Sequence, residues 1–398
     1  MFDVIIIGAG PAGATATSIL MKNKKVLLID EYYRIGGRLI GQLYEEKDGS
    51  VWNGYQKAEE LSSRLNHPNL TVKLSTSVIN IHQLRNGFAI DTNKGSYKSK
   101  HLIICTGAQE LTPAIPGSTL PGVMTVGAAQ VLTNVQRVAP GSKGAIIGVN
   151  VLSSAILSEL HMADIDVEAM AIPYYNEVNK QDALPQEVFK KLLNFSHMAP
   201  NPFIKFGTKM LKTIPLLQPF VFKLLPTKGI KTLNTPIHLK KAVTSINGNK
   251  KVESLTLNKI DNKGNIVPNS EEIIAVDFVC LSGGLTPLAE LLGLLNVSFV
   301  FIESLGGYIP LHNDVMETEI NNLFVAGNIT GIEGAKVAIK QGEIAAYQIL
   351  GLFNKVKQSQ TDLLNERATA TIQFHENIDE GREKLQNLWQ LSSCKVPY

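Results

Sequence analysis

Cysteine is scarce in this chain: Cys105, Cys280 and Cys394 are the only three among 398 residues, and they lie far apart. None stands in a CxxC spacing, so the sequence encodes no redox-active dithiol and no thiolate metal site, and we expect no bound metal. Cys105 and Cys280 end the apolar runs IIC and FVC, the setting of a buried, inert thiol. Long hydrophobic runs are also missing, and no window approaches the ~20 apolar residues of a membrane span. The start, MFDVIIIGAG, has neither a basic n-region nor a small-residue cleavage site. The expectation is therefore a cytoplasmic chain. Charge is thin, with 18% charged residues and a net charge of +3. Nothing resembles the basic stripe that nucleic-acid binding needs, so no nucleic-acid partner is expected. With 44% hydrophobic residues, a chain of this length supports two cores.

The most informative stretch is FDVIIIGAGPAGATATSILMKNKKVLLIDE at 2–31. A buried strand leads into Gly8, Gly10 and Gly13, then a helical run with small residues, then a second strand ending in Asp30. Each part has a physical job. Gly8 permits the tight turn, Gly10 lets a pyrophosphate approach the backbone, and Gly13 lets helix and strand pack closely. The helix start at Pro11 and Ala12 presents free N–H groups and a positive dipole end to phosphate. Asp30 is placed for adenosine ribose hydroxyls, with Glu31 as the fallback. Glycines alone are a weak signal; strand, turn, helix, strand and acid in this order are a strong one.

The chain continues IGGRLIGQ, and a Gly36-Gly37-Arg38 turn just after the ribose acid resembles the flavoprotein pattern, in which it passes the flavin pyrophosphate and ribityl chain. That resemblance moves the first site from NAD to FAD. HLIICTGAQE at 101–110 resembles the ATG turn where a flavoprotein chain leaves its FAD domain, through Thr106 and Gly107, with Cys105 in place of the usual Ala. NLFVAGNITGIEGAKVAIKQGEIAAYQIL at 322–350 resembles the second FAD signature. The family acid at a ribityl hydroxyl is here Asn328, after Gly327, which keeps the hydrogen bond without the charge. The helix starting at Gly334 and Ala335 then points at the flavin pyrimidine oxygen, where its dipole favours reduction. Lys336 either adds to that field or is a solvated first-turn lysine.

Between the two FAD halves lies an insert with its own strand, turn and helix, GAIIGVNVLSSA at 144–155. This nesting resembles the two-dinucleotide-binding-domain flavoproteins. The resemblance implies an α/β fold of two Rossmann-like domains of three-layer ββα type, one inserted in the other, with a helical C-terminal tail. The expected limits are 1–111 plus 284–352 for FAD, 112–283 for an NAD(P)-binding-like domain, and 353–398 for the tail. Gly148 keeps the first glycine of the second loop, but Asn150, followed by Val151, and Ser153 replace the second and third. Asn150 is a residue type that tolerates left-handed φ. The following strand ends in no acid or arginine for a ribose, so NAD(P) binding stays open. Residues 186–228 are lysine-rich and apolar with the single acid Glu187. They are either a docking face for a partner or membrane surface, or a helical cover over the second domain.

LPGVMTVGAAQ at 120–130 and the run 304–342 resemble the α-type subunits of heteromeric amine and amino-acid dehydrogenases. These enzymes include sarcosine oxidase, dye-linked proline dehydrogenase, opine oxidase and hydrogen cyanide synthase. The resemblance covers residues 1 to about 350. It implies an FAD-dependent oxidoreductase passing two electrons through bound flavin from a small-molecule substrate, beside a partner flavoprotein. Several relatives carry a cysteine-rich iron–sulfur segment near the C-terminus; with one cysteine in this tail, a cluster would belong to a partner iron–sulfur subunit. A stand-alone NAD(P)H-dependent reductase and a non-catalytic flavin-bearing scaffold remain open. No side chain is identified as catalytic.

Overall fold

The computed structural model describes all residues except 47–48, 195–210, 212–213 and 394–398, which leaves Cys394 and the middle of the lysine-rich segment outside the described residues. The chain forms two compact units, 1–109 with 285–398, and 110–284.

In the first unit, β1 (Phe2–Ile7), α1 (Pro11–Leu20) and β2 (Val26–Ile29) are followed by β3 (Leu70–Lys73) and by a meander of β4 (Val78–Leu84), β5 (Gly87–Thr92) and β6 (Gly95–Ile104). β1 pairs in parallel with β2 and with the end of β6, and β2 with β3. β4, β5 and the start of β6 are antiparallel.

The second unit repeats this plan with β7 (Val123–Thr125), β8 (Lys143–Ile147), α2 (Val151–Met162), β9 (Asp166–Pro173), α3 (Pro185–Asn194), α4 (Gln218–Leu224), β10 (Thr235–Asn247), β11 (Ser254–Lys259), β12 (Glu272–Ala275) and β13 (Phe278–Leu281). Its sheet runs β7-β13-β8-β9-β10-β11-β12. The first five strands are parallel and the rest antiparallel.

The chain then returns to the first unit through β14 (Leu323–Val325), which pairs in parallel with β6, and through α5 (Ala335–Ile349), α6 (Phe353–Thr369) and α7 (Ile378–Ser393).

Strand side chains alternate between two cores, which is what makes three layers. Val4, Ile6, Val26, Leu28 and Ile103 pack with residues of α1 and α5. Ile5, Ile7, Leu27, Ile29 and Ile104 pack with Ile81, Phe88 and Ile90 of the meander. The small residues of α1 have a packing reason: a methyl on Gly342 of α5 would overlap the Ala12 carbonyl, so the two helices touch backbone to backbone. In the second unit α3 and α4 cover one face, burying Val188, Phe189, Leu193 and Phe222 with Ile156 and Leu160 of α2. The outer side of that cover exposes Leu216, Phe220 and Leu224. Among the described residues, no helix is long and apolar enough to cross a membrane. No group of three or more His, Cys, Asp or Glu among them is arranged for a metal.

Cys105 and Cys280 are buried core residues, and burial pushes both thiols up to about 12. They remain protonated and unreactive at neutral pH.

Candidate functional site

The site in the first unit is built on the turn between β1 and α1. Gly8 holds φ +102° and donates its N–H to Ile29 O at 2.8 Å. A side chain there would strike the Cys105 carbonyl, and a methyl on Gly13 would overlap the Gly8 carbonyl. Both are glycine because backbone packs on backbone. Gly10 differs. It caps α1 at φ −70° and ψ −173°, and a methyl added to it would meet nothing within 4 Å. No side chain caps the first turn, and Pro11 has no N–H to offer. The notch over Gly10 therefore opens onto the amides of Ala12 and Gly13 and the positive end of the helix, the shape and polarity that fit a pyrophosphate.

The other elements gather on this notch. Gly36 donates to Ala9 O at 2.8 Å, and a methyl on Gly37 would sit 3.2 Å from Gly10 Cα. Arg38 follows and is exposed. Thr106 Oγ1 donates to Leu288 O, while Gly107, at φ +80°, faces open space as Gly10 does.

Asp30, the expected ribose acceptor, is also tied to the backbone of the turn. Its Oδ2 accepts from Ala9 N at 2.5 Å and its Oδ1 from Tyr32 N at 2.7 Å, so the carboxylate ties the end of β2 to the glycine turn. Burial pushes this carboxyl above the usual carboxylate range, against those two hydrogen bonds. Each oxygen keeps a further lone pair. Glu31 is exposed and has no hydrogen-bond or ion-pair partner among the described residues.

At the second signature Gly327, at φ +87°, donates to Gln341 Oε1 at 2.8 Å, and Gln341 Nε2 donates to Thr330 Oγ1 at 3.0 Å. Asn328 Oδ1 accepts from Glu333 N at 3.4 Å and Gly334 N at 3.2 Å. The amide oxygen thus closes the 328–334 loop, and its NH2 group is left as a donor. Gly334 caps α5 without a side-chain partner and with open space where a methyl would stand; Ala335 begins the helix. Lys336 is exposed in the first turn of α5, where it pairs with Glu46 at 2.8 Å and stands 5.3 Å from the Trp52 ring centre.

Sequence reasoning passed over Glu333, Arg367 and Arg382. Glu333 is buried; it accepts from Arg367 Nε at 2.6 Å and Nη2 at 3.0 Å, and also from Arg382 Nη2. Arg382 Nη1 donates to Thr330 O at 2.8 Å. Burial pushes the Glu333 carboxyl up, but the charges of Arg382 and Arg367 outweigh it and leave the group below its ordinary value. Arg367 and Arg382 lie 34 and 49 residues from Glu333, so no local sequence signal marks the cluster.

The corresponding turn of the second unit is closed. Gly148, at φ +110°, packs on the Ser282 carbonyl, as Gly8 does on Cys105. Asn150 has φ −150°, an extended conformation, so its tolerance of left-handed φ is not used. It forms a capping box instead: Asn150 Oδ1 accepts from Ser153 N at 3.0 Å, and Ser153 Oγ accepts from Asn150 N at 2.9 Å. Asn150 Nδ2 also donates to Ser282 O at 3.1 Å and Oγ at 3.0 Å. Val151 follows as the first residue of α2, buried like Ser153. Side chains thus occupy the notch that stays open at Gly10, and the residues present do not fit a pyrophosphate as the first loop does.

Residues 2–171 match the model of the pyridine nucleotide-disulphide oxidoreductase family, a family of FAD- and NAD(P)-binding oxidoreductases. A subunit of opine oxidase from Rhizobium meliloti (strain 1021) is 24% identical over 367 residues, spanning 89% of this chain and 72% of that protein. Among solved structures, L-proline dehydrogenase from P. horikoshii aligns over 92% of this chain with a TM-score of 0.65 at 20% identity; this chain spans 58% of that one. Thioredoxin reductase of Lactococcus lactis aligns over 90% of this chain and all of its own, with a TM-score of 0.60 at 18% identity. The resemblance drawn from the glycine motifs and the α-type runs, and the α/β fold that it implied, both stand.

Proposed function

We propose that this chain is an FAD-dependent oxidoreductase of the α-subunit type, carrying two electrons through flavin for a partner chain that oxidises an amine or amino acid. The observation that carries the FAD reading is the contrast between Gly10 and Asn150. One helix start is left bare with empty space before it, and its counterpart is capped by its own side chains. The amides of Ala12 and Gly13 would hold the pyrophosphate, with Gly36 and Gly37 alongside. Glu31, or the unused lone pairs of Asp30, would take the ribose. Asn328 would donate to the ribityl chain, and the α5 start at Gly334 and Ala335 would face the flavin pyrimidine. Bound flavin supplies the two-electron chemistry; the chain's own part is to bind it, orient it and set the field around it.

The dehydrogenase reading rests on the likeness to the opine oxidase protein over most of the chain. Purified protein should show flavin absorbance, directly or after FAD reconstitution, and lack of any flavin binding would defeat the cofactor reading. Expressed in its own host, the chain should co-purify with a second polypeptide and oxidise amino acids slowly without it. Full turnover by the isolated chain would overturn the multi-chain reading.

A stand-alone NAD(P)H reductase is disfavoured by the capping box. Asn150→Gly removes that box and the bonds to Ser282, at a cost of about 1 kcal/mol in stability. If a pyridine nucleotide uses this loop, the variant should be reduced by NADH or NADPH several-fold faster under anaerobic conditions. An unchanged rate marks the loop as purely structural.

A further inference from the structure

The loop that closes on Asn328 does not stand alone. Residues 327–334 are held from inside the first unit by Gln341 and from outside by two arginines of the tail, Arg367 near the end of α6 and Arg382 in α7, which converge on Glu333. Arg382 also grips the loop backbone at Thr330 O. A methyl on Gly331 would run into the Arg382 guanidinium, so the tail lies directly against the loop. Two half-buried cations on one buried anion leave a surplus positive charge beside the start of α5. That charge lies next to Gly334 in the chain, through Glu333, and adds to the field at the start of α5.

We infer that Arg367 and Arg382 are positioning residues for the flavin: acting through Glu333, the C-terminal tail braces the 327–334 loop in the shape that receives FAD. This rests on the FAD reading above. It gives the tail a role in the cofactor site, whereas the sequence offered only a helical appendage.

Arg367 is the residue to test. Its Nε and Nη2 form a bidentate pair with Glu333, a geometry lysine cannot copy. A cavity of about 230 Å³ lined by Glu333, Val337, Arg367, Ile372, His375 and Ile378 lies on its tail side. Arg367→Gln therefore gains room for water and leaves Glu333 paired with Arg382, so the variant should fold. Asp362→Asn is the matched control. Asp362 accepts from Lys340 of α5 at 3.2 Å, so this change loosens the tail from α5 without touching the loop.

The full chain and its variants Arg367→Gln, Arg367→Lys and Asp362→Asn are compared in two ways. In apoprotein, hydrogen exchange of the 327–334 amides should rise about tenfold in Arg367→Gln and change less than twofold in Asp362→Asn. In FAD titrations, Arg367→Gln should bind about tenfold more weakly, or 1.4 kcal/mol, and Asp362→Asn within twofold of the parent chain. Arg367→Lys keeps the charge but not the fork. It should lose most of that affinity yet keep the parent flavin potential, whereas Arg367→Gln should shift the potential negative. Equal exchange in Arg367→Gln and Asp362→Asn would overturn the brace whatever FAD does. Failure of the parent chain to take up FAD, with the exchange difference present, would overturn the cofactor reading and leave the brace standing.

Discussion

Gly10→Val and Gly13→Ala, only three residues apart, should fail in opposite ways. At Gly10 the backbone is in a conformation open to any residue, and an added Cβ meets nothing within 4 Å. The apoprotein should keep its melting temperature within about 2 °C, because nothing in the fold is displaced. The space is the notch over the Ala12 and Gly13 amides, so FAD affinity should fall at least a hundredfold, about 3 kcal/mol. At Gly13 the added methyl overlaps the carbonyl of Gly8, and that turn is itself held by Ile29 and Asp30 through Gly8 N and Ala9 N. Neither partner can rotate away, so β1 and α1 must separate. A cost of about 3 kcal/mol or more is expected, the upper range for overpacking. Circular dichroism melts and FAD titrations on both variants decide the matter. A Gly10→Val protein that binds FAD normally would show that the notch is not the pyrophosphate site.

This pair also shows where the sequence was legible. The packing of Gly8 and Gly13 depends on the turn itself and on the strand beside it, so motif and spacing point to it. The α/β fold came from the resemblance of the nested strand-turn-helix segments to the two-dinucleotide-binding-domain flavoproteins, and it stands. What escaped depends on partners distant in the chain. Asn150 left nucleotide binding open from sequence; its cap with Ser153 is local, but the bonds that tie it to Ser282 come from across the unit. Lys336 looked free because Glu46 is far away in sequence. The backbone amides of Ala9 and Tyr32 that also hold Asp30 carry no sequence signature. The Glu333 cluster joins a loop to two tail helices, and only the fold brings the three charges together.

Acid should weaken the first unit in a window set by histidine rather than by carboxylates. His312 is buried with its Nδ1 2.7 Å from Pro310 O, and burial, with the nearby Arg382 charge second, pushes its pKa down to about 4. In the unfolded chain a histidine titrates near 6.5. The folded pKa is depressed, so the unfolded state takes up this proton first as pH falls. The stabilisation is complete above about pH 6.5 and is lost progressively down to about 4. Over the full window this amounts to about 3 kcal/mol, at 1.36 kcal/mol per pH unit. His238 in the second unit, also lowered to about 4, chiefly by burial, adds loss of the same sign. Carboxylates held below their ordinary values, Glu333 among them, contribute only below about pH 4.5, so the interval from 6.5 to 5 reports on the histidines.

A protonated His312 would set a third positive charge against the single Glu333, beside the arginines that hold the 327–334 loop. In the folded chain that proton goes on only near pH 4, so release of FAD from folded protein is expected there, at the acid end of the interval in which stability falls. His312→Asn keeps a donor for Pro310 O and removes the titration. Denaturant melts at pH 7.5, 6 and 5 should show the parent chain losing about 2 kcal/mol more than the variant. Identical slopes would mean that His312 takes up its proton in the folded chain as readily as in the unfolded one, so that its burial contributes no pH-dependent stability.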